Sequence, residues 1–271
     1  MFSSALCPLP FPLISYIPPV PPLSVTVITL NEAAHLGSAL ESVRWADEIV
    51  VVDSGSTDGT VDIARRFTDK VIVRDWPGYA AQKEFAAAQA AHDWILSIDA
   101  DERVSPALAA EIRRVLEMEP DEAAFRIPRL TRHFGKWLRT TDAYPDFQTR
   151  LYDRRRAHWK PLDVHESVAA DGPVGRLRHD LLHESDETLD ERKRKLRHYA
   201  RLSAGEMRRR GRRGSAAALV LHPPAAFLRN YVLRRGFLDG AAGFRMSALQ
   251  AYYVYLKFAY LRGGDDDESA R

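Results

Sequence analysis

Apolar residues in the first half of the chain follow a repeating order of strands and helices. Short β-branched runs predict strands buried on both faces, at Ser24–Leu30, Glu48–Asp53, Lys70–Asp75 and Asp93–Asp99. Apolar positions at helical spacing predict helices that begin near Leu36, Thr60 and Tyr79. A further helix is predicted after Ser105, because serine caps helices and Pro106 suits the first helical position. This order predicts an α/β domain whose parallel sheet carries helices on both faces.

The second half of the chain has a different pattern. Short strand-like segments lie between aromatic and basic loops, at Ala124–Ile127, Gln148–Tyr152 and Glu166–Ala169. The segment Thr188–Arg210 is helical and very basic, and the chain beyond Ser215 is apolar and aromatic with interspersed arginines. We therefore predict four regions: a proline-rich disordered extension over 1–22, an α/β domain over 23–187, a basic and amphipathic helical region over 188–262, and an acidic tail over 263–271.

Composition excludes several classes of protein. Of the 271 residues, 45% are apolar and 28% are charged, which is ordinary globular usage and argues against a disordered or fibrous chain. The single cysteine, Cys7, excludes a disulfide framework and a cysteine-based zinc site. The near-neutral total charge conceals a basic block, because Glu191–Arg213 holds eleven basic and two acidic residues. Such a block predicts an anionic partner or a solvated face.

No segment of the sequence has the pattern of a transmembrane helix. The longest uncharged run near the C-terminus, Gly214–Leu228, has 15 residues and includes Pro223 and Pro224, whereas a spanning helix needs about 20 apolar residues. The N-terminal 22 residues contain seven prolines and no basic start, so we do not expect a signal peptide there.

Acidic residues end two of the predicted strands. Asp53 and Asp99 lie at carboxyl ends, where open parallel sheets bind ligands, although aspartate at such ends is also a common turn former. The loop after Asp53 lacks the G-x-G-x-x-G spacing of dinucleotide-binding folds, and no phosphate-binding loop motif is present. The motif Asp99-Ala100-Asp101-Glu102 places two carboxylates where they can converge on one divalent cation. Mg²⁺ or Mn²⁺ would take such oxygen ligands together with substrate phosphate.

An ordered series of short motifs extends along the chain: Thr29-Leu30-Asn31-Glu32, Trp45–Asp58, Trp76-Pro77-Gly78-Tyr79 with Gln82-Lys83, Asp99–Glu102, Tyr144-Pro145-Asp146, Val164-His165-Glu166 and Gly236–Gly240. With these motifs the chain from Leu23 to about Leu261 resembles the family 2 glycosyltransferases, in the branch that adds sugars to the lipopolysaccharide inner core. The resemblance implies a GT-A fold, in which a mixed sheet is flanked by helices, followed by a helical extension that associates with a membrane.

The resemblance also implies roles for single residues on the donor side. Thr29, Asn31, Glu32 and Asp53 are expected to hold the base and ribose of a nucleotide-sugar. The aspartates of the D-x-D motif, Asp99 and Asp101, are implied to hold the ribose and a divalent metal on the diphosphate. Lys83 is expected to contact the diphosphate, unless it is a solvated helix lysine. The metal shell is expected to be completed by His183, which could equally be a structural histidine.

On the acceptor side, Glu166 is the candidate general base and Asp146 is the alternative. Arg150 and His165 are expected to line the acceptor site. The implied reaction is transfer of a hexose, expected to be glucose, from a UDP-sugar to a lipopolysaccharide core hydroxyl with inversion at the anomeric carbon. Two alternatives stay open at this point. The acceptor could be a polyprenyl phosphate, or the chain could be a non-catalytic basic module that binds a membrane.

The basic and apolar C-terminal region predicts attachment to an anionic membrane surface without crossing it. Tyrosines and cations beside apolar segments are typical of the interfacial zone of a bilayer. We therefore expect a peripheral protein on the cytoplasmic face of the inner membrane of a Gram-negative bacterium, acting on a lipid-linked saccharide. Aromatic residues are sparse in the basic block, so nucleic acid is not expected as a partner.

Overall fold

The structure is a computed structural model that describes residues 20–160, 167–185 and 188–263. The predicted extension lies outside the described residues except for its last three positions. Glu166, His165 and all but the first residue of the predicted acidic tail also lie outside them.

The first half of the chain forms the strand–helix series that its apolar pattern predicts. Its elements are β1 (Leu23–Thr29), α1 (Leu36–Glu41), β2 (Glu48–Asp53), α2 (Thr60–Ala64), β3 (Val71–Val73), α3 (Tyr79–Gln89), β4 (Trp94–Asp99), β5 (Glu102–Val104) and α4 (Pro106–Glu117). All seven residues of β1 are buried, because parallel neighbours flank it and both sheet faces are covered. The α4 helix starts as predicted, since the Ser105 hydroxyl accepts a hydrogen bond from the Leu108 amide at 3.2 Å.

The second half adds antiparallel and parallel strands to the same sheet and forms a separate antiparallel pair. These elements are β6 (Ala124–His133), β7 (Lys136–Trp137), β8 (Asp146–Asp153), β9 (Ala157–Lys160), β10 (Ser167–Ala170), β11 (Val174–Arg176) and β12 (Leu181–Glu184). The main path of the sheet runs β3-β2-β1-β4-β8-β6-β12-β5, and β7 and β11 pair with β6. The separate pair is β9 and β10. The sheet is therefore mixed: β1 to β4 are parallel as expected, β8 lies antiparallel between β4 and β6, and β11 and β12 are parallel to β6.

The two faces of the sheet have separate apolar cores. On one face α1, α2 and α4 cover the sheet, with Leu40, Ala64 and Ile112 in the core. On the other face α3 and the antiparallel pair β9 and β10 cover it, with Ala86 and Trp159 in the core.

The predicted C-terminal helical region is present. It consists of α5 (Leu189–Arg209), α6 (Ala216–Leu228), a π-helical turn (Arg229–Leu233), a 3-10 turn (Gly236–Asp239) and α7 (Gly240–Gly263). Thr188 and Glu191 form a reciprocal capping box at the start of α5. The Asp239 carboxylate joins the region to the sheet domain by accepting hydrogen bonds from the Thr140 hydroxyl at 2.6 Å and the Arg139 amide at 3.2 Å. Among the described residues, no helix combines the length and the apolar character needed to cross a bilayer.

Candidate active site

Two loops at the carboxyl ends of β1 and β2 lock together through side-chain hydrogen bonds. Asn31 has a left-handed backbone (φ 55°), and its side-chain carbonyl accepts a hydrogen bond from the Thr57 amide at 2.9 Å. The Asn31 amide donates in turn to the Ser56 hydroxyl at 2.7 Å. The Glu32 amide donates to the Thr60 hydroxyl at 2.9 Å. These bonds hold the loop that follows β1 in one conformation beside the carboxyl edge of the sheet.

Asp53 organises the loop after β2. It is fully buried, and its carboxylate accepts hydrogen bonds from the amides of Gly55 at 2.9 Å and Ser56 at 2.8 Å, and from the Ser56 hydroxyl. The structure thus gives Asp53 the turn-forming role that the sequence left open. Direct contact between Asp53 and a ribose stays a prediction.

A pocket of about 510 Å³ lies at the ends of β1 and β4. Of the predicted donor-side residues, Thr29, Glu32, Asp99, Asp101 and His183 line it. The lining also includes the aromatic pair Trp76 and Tyr79, whose rings pack edge to face with centroids 4.7 Å apart. Both rings are largely exposed, so they offer apolar faces to a ligand. Asn31, Asp53 and Lys83 do not line the pocket.

Asp101 and His183 meet at the floor of this pocket. The pairing of β5 with β12 brings them together, and His183 Nε2 lies 3.0 Å from Asp101 Oδ2. The Thr131 hydroxyl lies 3.1 Å from His183 Nδ1. In the tautomer whose Nδ1–H donates a hydrogen bond to the Thr131 hydroxyl, the unprotonated Nε2 faces Asp101. A hydrogen bond at one ring nitrogen that leaves the other free for a metal is typical of metal-binding histidines.

This pair fits a divalent cation that is held jointly with a substrate. Carboxylate oxygen and imidazole nitrogen are suitable ligands for Mn²⁺ or Mg²⁺. Within the described ranges no three His, Cys, Asp or Glu side chains form a ready metal cluster, so further ligands would come from diphosphate oxygens and water. The buried Thr29 hydroxyl in the same pocket has no hydrogen-bond partner among the residues that the structure describes, so this polar atom is available to a ligand.

Asp99 lies between two buried cations. Lys83 Nζ is 2.9 Å from Asp99 Oδ1, and Arg150 donates to Asp99 Oδ2. Burial alone would raise the pKa of Asp99, but the charges of Arg150 and Lys83 outweigh it and hold that pKa well below the ordinary range. Lys83 is only 1% exposed, so it is not a solvated helix lysine, and it lies against Asp99 instead of facing the pocket. Its predicted contact with a diphosphate stays a prediction.

Arg150 reaches Asp99 because β8 contains a bulge. Phe125 pairs with Leu151 and Arg126 pairs with Thr149, which leaves Arg150 as the extra residue of β8. A bulge redirects the side chain that it carries. Arg150 Nη2 also donates to Glu102 Oε1 at 2.7 Å. Burial would lower the pKa of Arg150, but Asp99 and Glu102 outweigh it and raise that pKa.

Asp146 belongs to the same charge network. Its Oδ2 accepts hydrogen bonds from Arg129 Nη2 at 2.7 Å and Nε at 3.0 Å. Its Oδ1 accepts one from the side-chain amide nitrogen of Gln148, Nε2, at 2.7 Å. Arg129 in turn lies 3.3 Å from Glu102. Both carboxylate oxygens of Asp146 therefore already accept hydrogen bonds, which suits an anchoring role better than proton abstraction. The other candidate base, Glu166, lies outside the described residues.

Three residues of this site, Glu102, Arg129 and Thr131, were not predicted from the sequence. Glu102 is fully buried, and its carboxylate also accepts a hydrogen bond from the Asp99 amide at 2.9 Å. Arg129 and Thr131 lie on β6, about 30 residues further along the chain. For Glu102 a signal existed, since an acidic residue follows the D-x-D motif directly. For Arg129 and Thr131 only the strand pairing reveals their positions.

Comparison with known proteins places the chain among glycosyltransferases. Residues 24–171 match the family model described as Glycosyl transferase family 2. The chain is 34% identical over 245 residues to the "Lipopolysaccharide core biosynthesis glycosyltransferase LpsC" of Rhizobium meliloti, covering 88% of this chain and 91% of that protein. It is 33% identical over 252 residues to an uncharacterized glycosyltransferase of Rickettsia felis, covering 89% of each.

Among solved structures, the fold is similar to the mannosyltransferase PcManGT from Pyrobaculum calidifontis, solved in complex with GDP-Man and Mn²⁺. The TM-score is 0.52 at 18% sequence identity, and the likeness covers 89% of this chain and 86% of that one. This likeness confirms the predicted GT-A fold.

Proposed function

The chain belongs to glycosyl transferase family 2, and we propose that it transfers a hexose from a nucleotide-sugar to a lipopolysaccharide core saccharide. The observation that carries this proposal is the Asp101–His183 pair in a 510 Å³ pocket at the ends of two buried parallel strands. The similarity to LpsC over most of both chains supports the core saccharide as acceptor. We propose glucose as the transferred sugar and a UDP-sugar as the donor, as the motif resemblance implies.

The donor side of the pocket suits a nucleotide diphosphate. Asp101 and His183 would hold a divalent cation, which when bound neutralises charge on the departing diphosphate. Trp76 and Tyr79 provide exposed rings at the rim for a base or a sugar. Asp99 stays ionised between Lys83 and Arg150, so it accepts hydrogen bonds from hydroxyl groups and does not donate them.

On the acceptor side we propose Glu166 as the general base, since both Asp146 oxygens already accept hydrogen bonds within the protein. The base would take the proton of the acceptor hydroxyl as the hydroxyl oxygen attacks the anomeric carbon. The diphosphate leaves on the opposite face, and this single displacement inverts the configuration. General-base assistance contributes about 10²- to 10⁴-fold in rate.

We further propose that the C-terminal region binds an anionic membrane surface. No residue of α6 is buried, although the helix is almost entirely apolar. We call the exposed side chains of this region the C-terminal apolar surface: Val220, Leu221, Leu228, Val232, Leu233, Phe237, Leu238 and Phe244. Residues 211–263 contain eight basic residues and one acidic residue, Asp239, which is buried. An apolar surface beside excess positive charge matches a bilayer with anionic headgroups.

Transfer can be tested with the full-length chain and a panel of nucleotide-sugars that includes UDP-glucose and GDP-mannose. The acceptors would be core-truncated lipopolysaccharide and, for comparison, a polyprenyl phosphate, with Mn²⁺ or with EDTA. We expect transfer to the lipopolysaccharide that EDTA abolishes, and a decrease in kcat of about 100-fold or more in Asp101→Asn. The matched control is Asp62→Asn on the exposed face of α2. Transfer to the polyprenyl phosphate alone would contradict the proposed acceptor.

A further inference from the structure

A second cavity of about 530 Å³ adjoins the donor pocket and shares Asp99 with it. It opens on the sheet face that α3 covers, and Trp159 and Val168 of the neighbouring antiparallel pair also line it. Three arginines line it, namely Arg126, Arg129 and Arg150. This cavity therefore lies directly beside the donor pocket, where an acceptor could bind, and its walls are rich in cations.

Most of the charges around this cavity cancel. The cations Lys83, Arg129 and Arg150 are matched by three carboxylates, Asp99, Glu102 and Asp146, through the contacts described above. Arg126 is a fourth cation on the wall, and among the described residues its guanidinium has neither an ion-pair nor a hydrogen-bond partner. Among the described residues around the cavity, positive charges therefore exceed negative charges by one.

Arg176 adds a second unmatched cation next to Arg126. The two residues lie directly opposite each other in the pairing of β6 with β11, so their side chains lie on the same face of the sheet. The Arg176 guanidinium lies 5.2 Å from the ring centroid of Phe147, which lines the cavity. Within the described part of the chain Arg176 also lacks an ion-pair partner. Like charges directly opposite each other in a sheet are destabilising, unless an anion lies between them.

We propose that this cavity binds an anionic group of the acceptor saccharide, a phosphate monoester or a carboxylate, through Arg126 with the support of Arg176. The inference rests on the proposed function only in taking the ligand to be a saccharide acceptor. An arginine binds either anion through two parallel hydrogen bonds, and this geometry orients the bound group as well as attracting it. The anion would fix the acceptor beside Asp99, at the boundary with the donor pocket.

The first experiment titrates small anions and needs no acceptor. The full-length chain, saturated with UDP and the diamagnetic ion Mg²⁺, is titrated with methyl phosphate and separately with acetate, and arginine side-chain Nε–H resonances are followed by NMR. We expect saturable shifts with at least one anion in the wild type and their loss in Arg126→Gln. Arg114→Gln is the matched control, because Arg114 is exposed on α4, which covers the opposite sheet face. Absence of saturable shifts, or identical shifts in Arg126→Gln, would overturn the proposal.

The second experiment uses the deacylated oligosaccharide of core-truncated lipopolysaccharide in three forms: untreated, dephosphorylated and carboxyl-reduced. Calorimetric binding to the full-length chain in the presence of UDP would identify which group is bound. We expect one of the two treatments to weaken binding to the wild type by about ten- to hundredfold. Arg126→Gln should weaken the untreated form equally and leave the treated form unchanged. Arg176→Gln should have a smaller effect of the same kind.

The outcomes separate this proposal from the proposed function. If small anions bind at Arg126 but none of the oligosaccharides binds, the anion site stands and the lipopolysaccharide acceptor is wrong. If Arg126→Gln weakens UDP binding as much as it weakens oligosaccharide binding, the cavity belongs to the donor and the proposal fails. Equal affinity of the wild type for all three oligosaccharide forms would also overturn it.

Discussion

The sheet domain and the C-terminal helical region use opposite kinds of side chain in their interiors and on their surfaces. In the sheet domain charged groups are buried, with exposures of 1% for Lys83, 0% for Glu102 and 3% for Arg150. In the helical region large apolar groups are exposed, with exposures of 77% for Leu233 and 67% for Leu221. Neither arrangement is what folding stability alone would favour. Under the proposed function, the buried ion pairs of the sheet domain hold the residues around the donor pocket in place, and the exposed apolar groups of the helical region are the proposed membrane surface.

The largest expected effect in this comparison is on the buried charge network. Arg150→Met would leave Asp99 and Glu102 without a shared cationic partner in a buried site. Removing one partner from a buried ionic network costs about 3–5 kcal/mol. We therefore expect a decrease of this size in the free energy of unfolding, measured with urea. Arg213→Met, in the exposed segment between α5 and α6, should stay within about 0.5 kcal/mol of the wild type. Similar losses in the two variants would contradict the contrast between the regions.

A smaller effect follows from the lowered pKa of Asp99. The ionised carboxylate stabilises the fold above its ordinary pKa of 3.8, and this contribution is lost as the pH falls through the lowered native value. We expect Asp99→Asn to be destabilised most at pH 5, and the difference from the wild type to narrow below about pH 4. The narrowing can reach about 1.4 kcal/mol per pH unit, the limit for one proton. Urea unfolding of the wild type and Asp99→Asn at pH 5, 4 and 3.5 measures the difference in their free energies of unfolding. A difference that stays constant over this pH range would contradict the prediction.

The smallest expected effect on the free energy of unfolding is at the C-terminal apolar surface. A polar substitution there should leave folding stability nearly unchanged but weaken membrane binding. Burial of one leucine side chain contributes about 1.5–3 kcal/mol, so Leu233→Gln should weaken partition to phosphatidylglycerol vesicles by tenfold or more. Its free energy of unfolding should change by no more than about 0.5 kcal/mol. Met118→Gln is a control, because Met118 is also strongly exposed but follows α4 in the sheet domain. Equal partition of the two variants would contradict the proposed membrane surface.

Strands were predicted in both halves of the sheet, but the pairing of the second-half strands could not be predicted from the sequence. Strands β1, β2 and β4 are continuous buried runs, and Ser105 starts α4 by a local hydrogen bond, so short-range patterns were sufficient. The place of β8 between β4 and β6 depends on pairing between residues that are distant along the chain, such as Trp94 with Asp153 and Ala124 with Tyr152. No local pattern specifies such a partner.

The same distinction explains what could be predicted of the site. The D-x-D aspartates were found because they directly follow a strand, and His183 came from the motif resemblance. The role of Arg150 could not be predicted, because it depends on a bulge in the pairing of β8 with β6. For Lys83 the sequence left a diphosphate contact and a solvated helix lysine open; packing of α3 against the sheet buries its ammonium group beside Asp99, which excludes the solvated lysine.

Joint binding of a metal and a nucleotide by Asp101 and His183 can be measured without an acceptor or turnover. Mn²⁺ would be titrated into the full-length chain in the presence of UDP, and free Mn²⁺ would be followed by electron paramagnetic resonance. We predict that Asp101→Asn and His183→Gln each weaken Mn²⁺ binding by at least tenfold while their melting temperatures stay near that of the wild type. Thr131→Val, which removes only the hydroxyl next to His183 Nδ1, should weaken Mn²⁺ binding by about tenfold. Wild-type Mn²⁺ affinity in both Asp101→Asn and His183→Gln would contradict the proposed metal site.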